Sequence, residues 1–430
     1  MIKQYIRQAI TLLKENKLLS IISIAGTALA IAMVMVVIII LQAKTADYEP
    51  EVNRSRTLYV KWGSAVSKIS SNERNYNRLS LYDIQQAFYP LTTPEAITAV
   101  YNYGSMLSTV PGSDDELNCE VLYTDDAFWQ VFEFGFLAGR PFSKAAFKAG
   151  LKQAVISEST ARRLFGGVNE AIGRQLDINF VGFSVCGVVR DVSKFAEQSY
   201  AEIWLPYTSN SNLCSINISG WGEGHSGSFQ CFMLARKRSD FPLIRSELAA
   251  SIRKMNSVSR EYKLDIMNQP DEFFVQMLHK FANTGNGGNL ASRTVIRYCI
   301  ILFIVLLVPA INLSGLTQSR MRRRIAELGV RKAFGANKVS LLMQVLSENL
   351  LLTLIGSLFG LLFAYLGLWT LSGWLLASDL GGEATMNVSM ISPWIFLIAL
   401  VFCLIFNLLS AGIPAWKAAN TTIVNALNER

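Results

Sequence analysis

Four stretches of the chain, 18–41, 295–316, 341–368 and 393–413, stay apolar for about twenty residues or more, the length at which a helix crosses the hydrocarbon core of a bilayer. The pattern predicts four transmembrane helices. The first stretch is too long for the apolar region of a signal peptide, and no small-x-small cleavage site follows it at Gln42 and Ala43, so a retained anchor is expected.

Between the first and second stretches the rhythm changes. "TLYVKWG" (57–63) reads as a strand, "LSLYDIQQAFY" (79–89) as a short amphipathic helix and "ITAVYNYG" (97–104) as a second strand. The same order returns with "FQCFMLAR" (229–236), "DFPLIRSELAASIRKMN" (240–256) and "YKLDIMNQ" (262–269). Two such units predict one discontinuous α/β domain with an insert of about 112–222. The insert alternates apolar and polar residues in short runs such as "QAVIS" (153–157), "RQLDINF" (174–180) and "FSVCGVVRDV" (183–192), which makes it mainly β. One helical run, "SESTARRLFGG", stops at Gly166 and Gly167, a C-terminal glycine signal. The Ser-, Asn- and Gly-rich stretch 208–228 is predicted to be a long exposed loop.

Composition agrees with a membrane protein: 51% of residues are hydrophobic and only 17% charged. Charge then orients the spans, because Lys and Arg collect in cytoplasmic loops. Residues 1–17 carry Lys3, Arg7, Lys14 and Lys17 against Glu15, and the stretch between spans two and three is strongly basic. The loop between spans three and four holds Asp379 and Glu383 without a base. Both termini are therefore expected in the cytoplasm. Residues 44–293 carry 26 basic and 26 acidic residues, so the net charge of +8 belongs to the inner face and gives no reason to invoke nucleic acid.

Candidate chemistry is sparse. The two histidines, His225 and His279, make no metal cluster. "GHSGS" (224–228) ends in Ser228 where a nucleophile elbow needs glycine, and reads as a solvated loop. No G-x-x-x-x-G-K-[ST] occurs, so ATP hydrolysis by this chain is not expected and no cofactor is implied. Arg297 and Glu348 lie near span ends, where snorkelling accommodates them, while Asn312, Asn407 and Pro309 suit helix packing better than a substrate path. Cys119, Cys186, Cys214 and Cys231 lie outside the membrane without C-x-x-C spacing, leaving buried thiols and a disulfide equally open.

The basic stretch "RMRRRIAELGVRKAFGAN" (320–337) is more than a charge marker. Arg320, Arg322, Arg323 and Arg324 hold it at the membrane face, yet Met321, Ile325 and Leu328 form an apolar ridge that Val330, Phe334 and Leu341 continue. Gly329 and Gly335 allow breaks, and a short cytoplasmic helix with a contact surface for a partner is predicted.

"RRRIAELGVRKAFGANKVSLLMQVLSENLLL" resembles the segment that follows the second span of MacB/FtsX-type ABC transporter permeases. "IKQYIRQAITLLKENKLLSIISIAGTALAIA" is similar to that family's amphipathic N-terminal helix and first span, and "IPAWKAANTTIVNAL" to its closing motif. "AFWQVFEFGFLAGRPFS", "QAVISESTARRLFGG", "AIGRQLDINFVGFSVCGVVRDV" and "IWLPY" resemble, in order, its periplasmic core-domain motifs.

The resemblance implies an α-helical protein of the bacterial inner membrane, with four transmembrane helices and a large α+β periplasmic domain between spans one and two. The parts would be a cytoplasmic amphipathic helix (1–17), span one (18–43), the periplasmic domain (44–293), span two (294–317), a coupling segment (318–340), span three (341–369), a periplasmic loop (370–392), span four (393–414) and a cytoplasmic tail (415–430). The porter-like α/β parts of the periplasmic domain would be about 44–111 and 223–271. Gly139, Arg140 and Pro141, with Phe165 to Gly167, read as structural turns of the insert.

By the same resemblance, Glu327, Leu328, Gly329, Val330, Arg331, Lys332, Ala333, Phe334, Gly335 and Ala336 form the coupling helix seated on a cytoplasmic ABC ATPase subunit. Leu328, Val330 and Phe334 would make its apolar contacts, Arg331 and Lys332 its polar ones. Glu348 matches a glutamate of span three. The fused ATPase of some members is not in this sequence, so a separate one is expected, together with a second copy of the chain or a paralogous permease. The expected function is mechanotransmission for efflux of a peptide, drug or lipid-linked substrate, with a periplasmic adaptor and an outer-membrane channel as further partners. The alternatives are a regulator of a periplasmic enzyme such as a cell-wall hydrolase, and a lipoprotein-releasing permease.

Overall fold

The computed structural model describes residues 47–282 apart from 71–72, 113–115, 195, 216–221 and 223, then residues 337–375, and single helical positions between 21 and 36 and between 296 and 405. The chain divides into two compact units, one of residues Thr45–Ile296 and the other of Met1–Lys44 with Arg297–Arg430.

The outer unit is built on strands β1 (Thr57–Val60), β2 (Gly63–Ser67), β3 (Arg74–Asn77), β4 (Ala96–Thr109), β5 (Glu116–Thr124), β6 (Phe136–Gly139), β7 (Gln153–Ser157), β8 (Gln175–Ile178), β9 (Val181–Val189), β10 (Ile203–Pro206), β11 (Gln230–Leu234), β12 (Tyr262–Asp265) and β13 (Asp271–Glu272). Nine run side by side in the order β13-β1-β11-β4-β5-β10-β7-β9-β6, with β8 bridging β4 and β9, and β12-β2-β3 form a second sheet. The insert strands β5 to β10 thus share a continuous ladder with β1, β4 and β11 of the flanking units. The run 57–63 is two strands, because the chain turns at Lys61 and Trp62 and sends β1 and β2 to different sheets. Gln269 holds that turn: its Oε1 accepts from Lys61 N at 2.8 Å and its Nε2 donates to Trp62 O at 2.8 Å.

Strand β4 joins the parts. Its first residues pair with β11, most of its length with β5 and its tip with β8. Strict alternation would put Tyr101 and Met106 on opposite faces, yet both pack in one core. A bulge between Asn102 and Gly104, where Gly104 has φ of 93°, adds one residue and restores Met106 to the face of Tyr101.

The large sheet is buried on both faces, which is why β1, β10 and the apolar end of β11 read as unbroken apolar runs. Helix α1 (Glu158–Phe165) starts where Ser157 Oγ accepts from Thr160 N and ends at Gly166. Helix α2 (Phe241–Val258) buries Phe241, Ile244, Leu248, Ile252 and Met255 against the core that Leu58, Val60 and Met233 also line, the three- and four-residue spacing of an amphipathic face. Helix α3 (Phe273–Ala282) follows β13. Cys119, Cys186, Cys214 and Cys231 are all free thiols. Burial pushes Cys119 up to about 12 and Cys186 up to about 11, so neither is a ready thiolate.

The 208–228 stretch corrects the expectation of an exposed loop in its described part. His225 is only 1% exposed, and Gly227 lies so close to the backbone after β3 that a Cβ there would fall 2.3 Å from both Leu79 O and Ser80 Cα. Gly227 is required here because two backbones touch, which sequence composition cannot distinguish from loop flexibility.

In the other unit, helix α4 (Lys338–Leu375) runs 38 residues, and its Leu350–Gly367 window is long and apolar enough to cross a membrane. It is the one such helix among the described residues. The predicted spans at 18–41, 295–316 and 393–413, and with them the count of four, lie mostly outside the described residues.

Candidate functional site

The coupling residues Glu327 to Ala336 and the arginines at 320, 322, 323 and 324 lie outside the described residues, as does the side chain of Glu348, whose backbone belongs to α4. What the structure shows instead are three buried polar constellations in the outer unit and one helix contact in the other.

The first constellation lies where the chain enters and leaves the outer unit. Glu51 and Arg54 are 1% and 2% exposed and form an ion pair, with Arg54 Nε 2.6 Å from Glu51 Oε2. The other carboxylate oxygen accepts from Gln198 N at 3.0 Å, Ser199 N at 3.2 Å and Ser199 Oγ at 3.0 Å. The guanidinium is sandwiched between two rings, 4.1 Å from the Tyr48 centroid and 4.6 Å from that of Phe273, and it donates to Tyr48 Oη at 2.8 Å. Burial opposes its charge, but Glu51 and Tyr48 outweigh burial and hold its pKa above the ordinary arginine value. Tyr48 lies near the start of the outer unit, Phe273 opens α3, and Ser199 belongs to the insert. One ion pair therefore ties together the chain at Tyr48, the start of α3 and the insert. Sequence reasoning missed it: an acid and a base three apart, "EVNR", is a common spacing, and nothing local marks the pair as buried.

The second is Asp125, which accepts from Thr98 Oγ1 at 2.6 Å, Tyr89 Oη at 2.7 Å, Ala99 N at 2.9 Å and Phe128 N at 3.1 Å. Burial raises its pKa to about 6 against the pull of these donors. It locks β4, β5 and the segments flanking them.

The third is Asp83–His225–Ser259. Asp83 Oδ1 lies 2.6 Å from His225 Nδ1, and His225 Nε2 lies 3.4 Å from Ser259 Oγ. The order imitates a hydrolase triad, but Ser259 sits at the C-terminal end of α2 and donates to Met255 O at 3.2 Å. The negative end of a helix disfavours an alkoxide or oxyanion there, so the trio is a latch that fastens the glycine-rich segment. Among the described residues no group of three or more His, Cys, Asp or Glu could hold a metal ion.

In the membrane unit, Gly356 and Gly360 face helical positions near the N-terminus. A Cβ on Gly356 would fall 2.7 Å from Thr27 Cγ2, and one on Gly360 would fall 2.9 Å from Ala28 O and from Ile31. This is the close small-xxx-small approach of membrane helices. Leu352, Thr353, Ser357 and Ala364 share the buried face, whereas Leu358, Leu362 and Phe363 are exposed and suit lipid.

Residues 20–250 match the model of the MacB-like periplasmic core domain, and residues 299–423 match the FtsX-like permease C-terminal region. A Bacillus subtilis (strain 168) protein named an uncharacterized ABC transporter permease, YknZ, is 25% identical over 323 residues, covering 73% of this chain and 71% of its own length. The macrolide export ATP-binding/permease protein MacB of Burkholderia cenocepacia (strain HI2424) is 26% identical over 241 residues, covering 56% of this chain and 32% of that protein. The match thus spans about a third of the MacB protein. The crystal structure of the periplasmic region of MacB from Actinobacillus actinomycetemcomitans aligns with 54% of this chain and 95% of its own at 15% identity, with a TM-score of 0.36.

Proposed function

The chain belongs to the MacB/FtsX-type ABC transporter permeases, and from that premise we propose that it transmits ATP-driven motion of a cytoplasmic ATPase to its outer domain, driving efflux of a peptide, drug or lipid-linked molecule. ATP hydrolysis belongs to the partner subunit, and the permease works as a pair with a second copy or a paralogue. The coupling surface is Leu328, Val330 and Phe334, flanked by Glu327, Arg331 and Lys332 and held at the membrane by Arg320, Arg322, Arg323 and Arg324.

The observation that carries the reading is the Glu51–Arg54 junction. A protein that conveys motion outward must join its membrane segments to the outer domain stiffly, since a slack joint would dissipate the displacement. Here the polypeptide arriving after span one and the helix leading to span two are held on one buried ion pair with Tyr48 and Phe273 stacked on its cation. Four buried hydrogen-bond donors around Glu51 leave that pair no cheap alternative arrangement.

Phe334→Asp tests the coupling. In membranes holding the permease and its ATPase, the variant is expected to insert normally and to lose stimulation of ATP hydrolysis; unchanged stimulation refutes the assignment. Coupling in wild type with no exported cargo in transport assays would favour the regulator of a periplasmic enzyme over efflux.

A further inference from the structure

Arg78 is a half-buried cation. It follows β3, and its guanidinium has no carboxylate or other hydrogen-bond acceptor among the described residues. Its main-chain N–H donates to the Asn77 side chain and its carbonyl accepts from Gly227 N. Arg54, Arg56, Arg74, Arg162, Arg238 and Arg245 all have acidic partners.

What surrounds Arg78 is aromatic. Its guanidinium carbon lies 5.9 Å from the Trp62 ring centroid. The Tyr101 hydroxyl is its electrostatic neighbour, and burial draws its pKa below the ordinary arginine value with only Tyr101 opposing. Tyr101 contacts Tyr103 edge-on at 5.9 Å and stacks on Tyr123 at 6.2 Å. Trp62 and Tyr103 are each 46% exposed, while Arg78 is half-buried. The bulge at Asn102–Gly104 places Tyr103 here, opposite no residue of β5, and the Gln269 clamp fixes Trp62. The wall is held in place by the fold.

A partly desolvated cation with no acidic partner among the described residues costs stability. Folds retain such a group where something arrives to pair with it. A guanidinium fork matches a planar carboxylate with two parallel hydrogen bonds, and flanking indole and phenol rings add flat apolar faces with hydroxyl donors at their edges. We infer that Arg78, Trp62, Tyr101 and Tyr103 form a binding site on the outer domain for a small ligand carrying a carboxylate on a flat, largely apolar body. The site does not depend on the ATPase coupling proposed above and can be tested without an ATPase present.

The experiment uses the full chain in nanodiscs, with 1-naphthoate as the probe and the uncharged 1-naphthamide as its control, read by calorimetry and by the shift in melting temperature. Wild type is expected to bind naphthoate at least ten-fold more tightly than naphthamide and to melt higher in its presence. Arg78→Met is expected to lose that preference at least ten-fold while melting no lower than wild type without ligand, since it removes an unpaired charge. Arg78→Lys, which keeps the charge without the fork, should fall between. Equal affinity of wild type for the acid and the amide, no binding of naphthoate, or undiminished binding by Arg78→Met overturns the inference. The comparison of acid with amide on wild type decides the matter even if the variant folds poorly.

Discussion

Replacing Arg54 with Met tests the junction at the base of the outer domain. Methionine fills much of the slot between Tyr48 and Phe273, where the guanidinium now lies 4.1 and 4.6 Å from the two centroids, so the loss is chiefly electrostatic. Glu51 would remain buried, with one oxygen still accepting from Gln198 and Ser199 and the other without its partner 2.6 Å away. Removing one member of a buried pair costs about 3–5 kcal/mol. For a unit of this size that corresponds to a fall in melting temperature on the order of 10 °C. Combining Arg54→Met with Glu51→Gln removes both charges and is expected to recover a large part of the loss, because the amide oxygen can keep the bonds to Gln198 and Ser199. Thermal denaturation of the full chain in nanodiscs gives the four corners of the cycle, and hydrogen exchange reads the Gln198 and Ser199 amides directly. Those amides should exchange faster in Glu51→Gln than in wild type. If Arg54→Met is as stable as wild type, or no less stable than the double variant, the pair is not the tie described here, and the stiffness argument for transmission falls with it.

Two further outcomes are expected. The pKa of Asp125 is raised in the folded state from 3.8 to about 6, so its contribution, roughly 3 kcal/mol, is fully present below pH 4 and is lost as pH rises through 6. Denaturation of Asp125→Asn between pH 4 and 7 should show a flatter pH dependence than wild type, and an identical slope would contradict the assignment. In the membrane unit, Gly360→Leu forces a side chain into Ala28 and Ile31 and should lower the melting temperature in nanodiscs by more than Gly360→Ala does, at a cost of about 1–3 kcal/mol; equal melting of both variants with wild type would show that the helices do not meet there.

Much of the secondary structure was legible because its signals are local. "QAVIS" is a strand whose limits coincide with β7, and "SESTARRLFGG" carries its own cap at Ser157 and its own stop at Gly166. The 57–63 run was misread as one strand because the turn at Lys61 and Trp62 is enforced by Gln269, more than 200 residues later. Asp83 and His225 are 142 residues apart, which is why a glycine-rich segment looked like a free loop.

The sequence by itself determined the class of protein, because a run of matching motifs marks the family. Periodicity and caps determined most helices and strands, since each depends on residues only a few positions apart. Only the tertiary structure decided which polar residues matter in the outer domain. Glu51, Arg54, Asp125 and Arg78 are ordinary charged residues in a list. Their significance comes from desolvation and from partners, or in the case of Arg78 the lack of an acidic one among the described residues, and both are set by how distant segments pack.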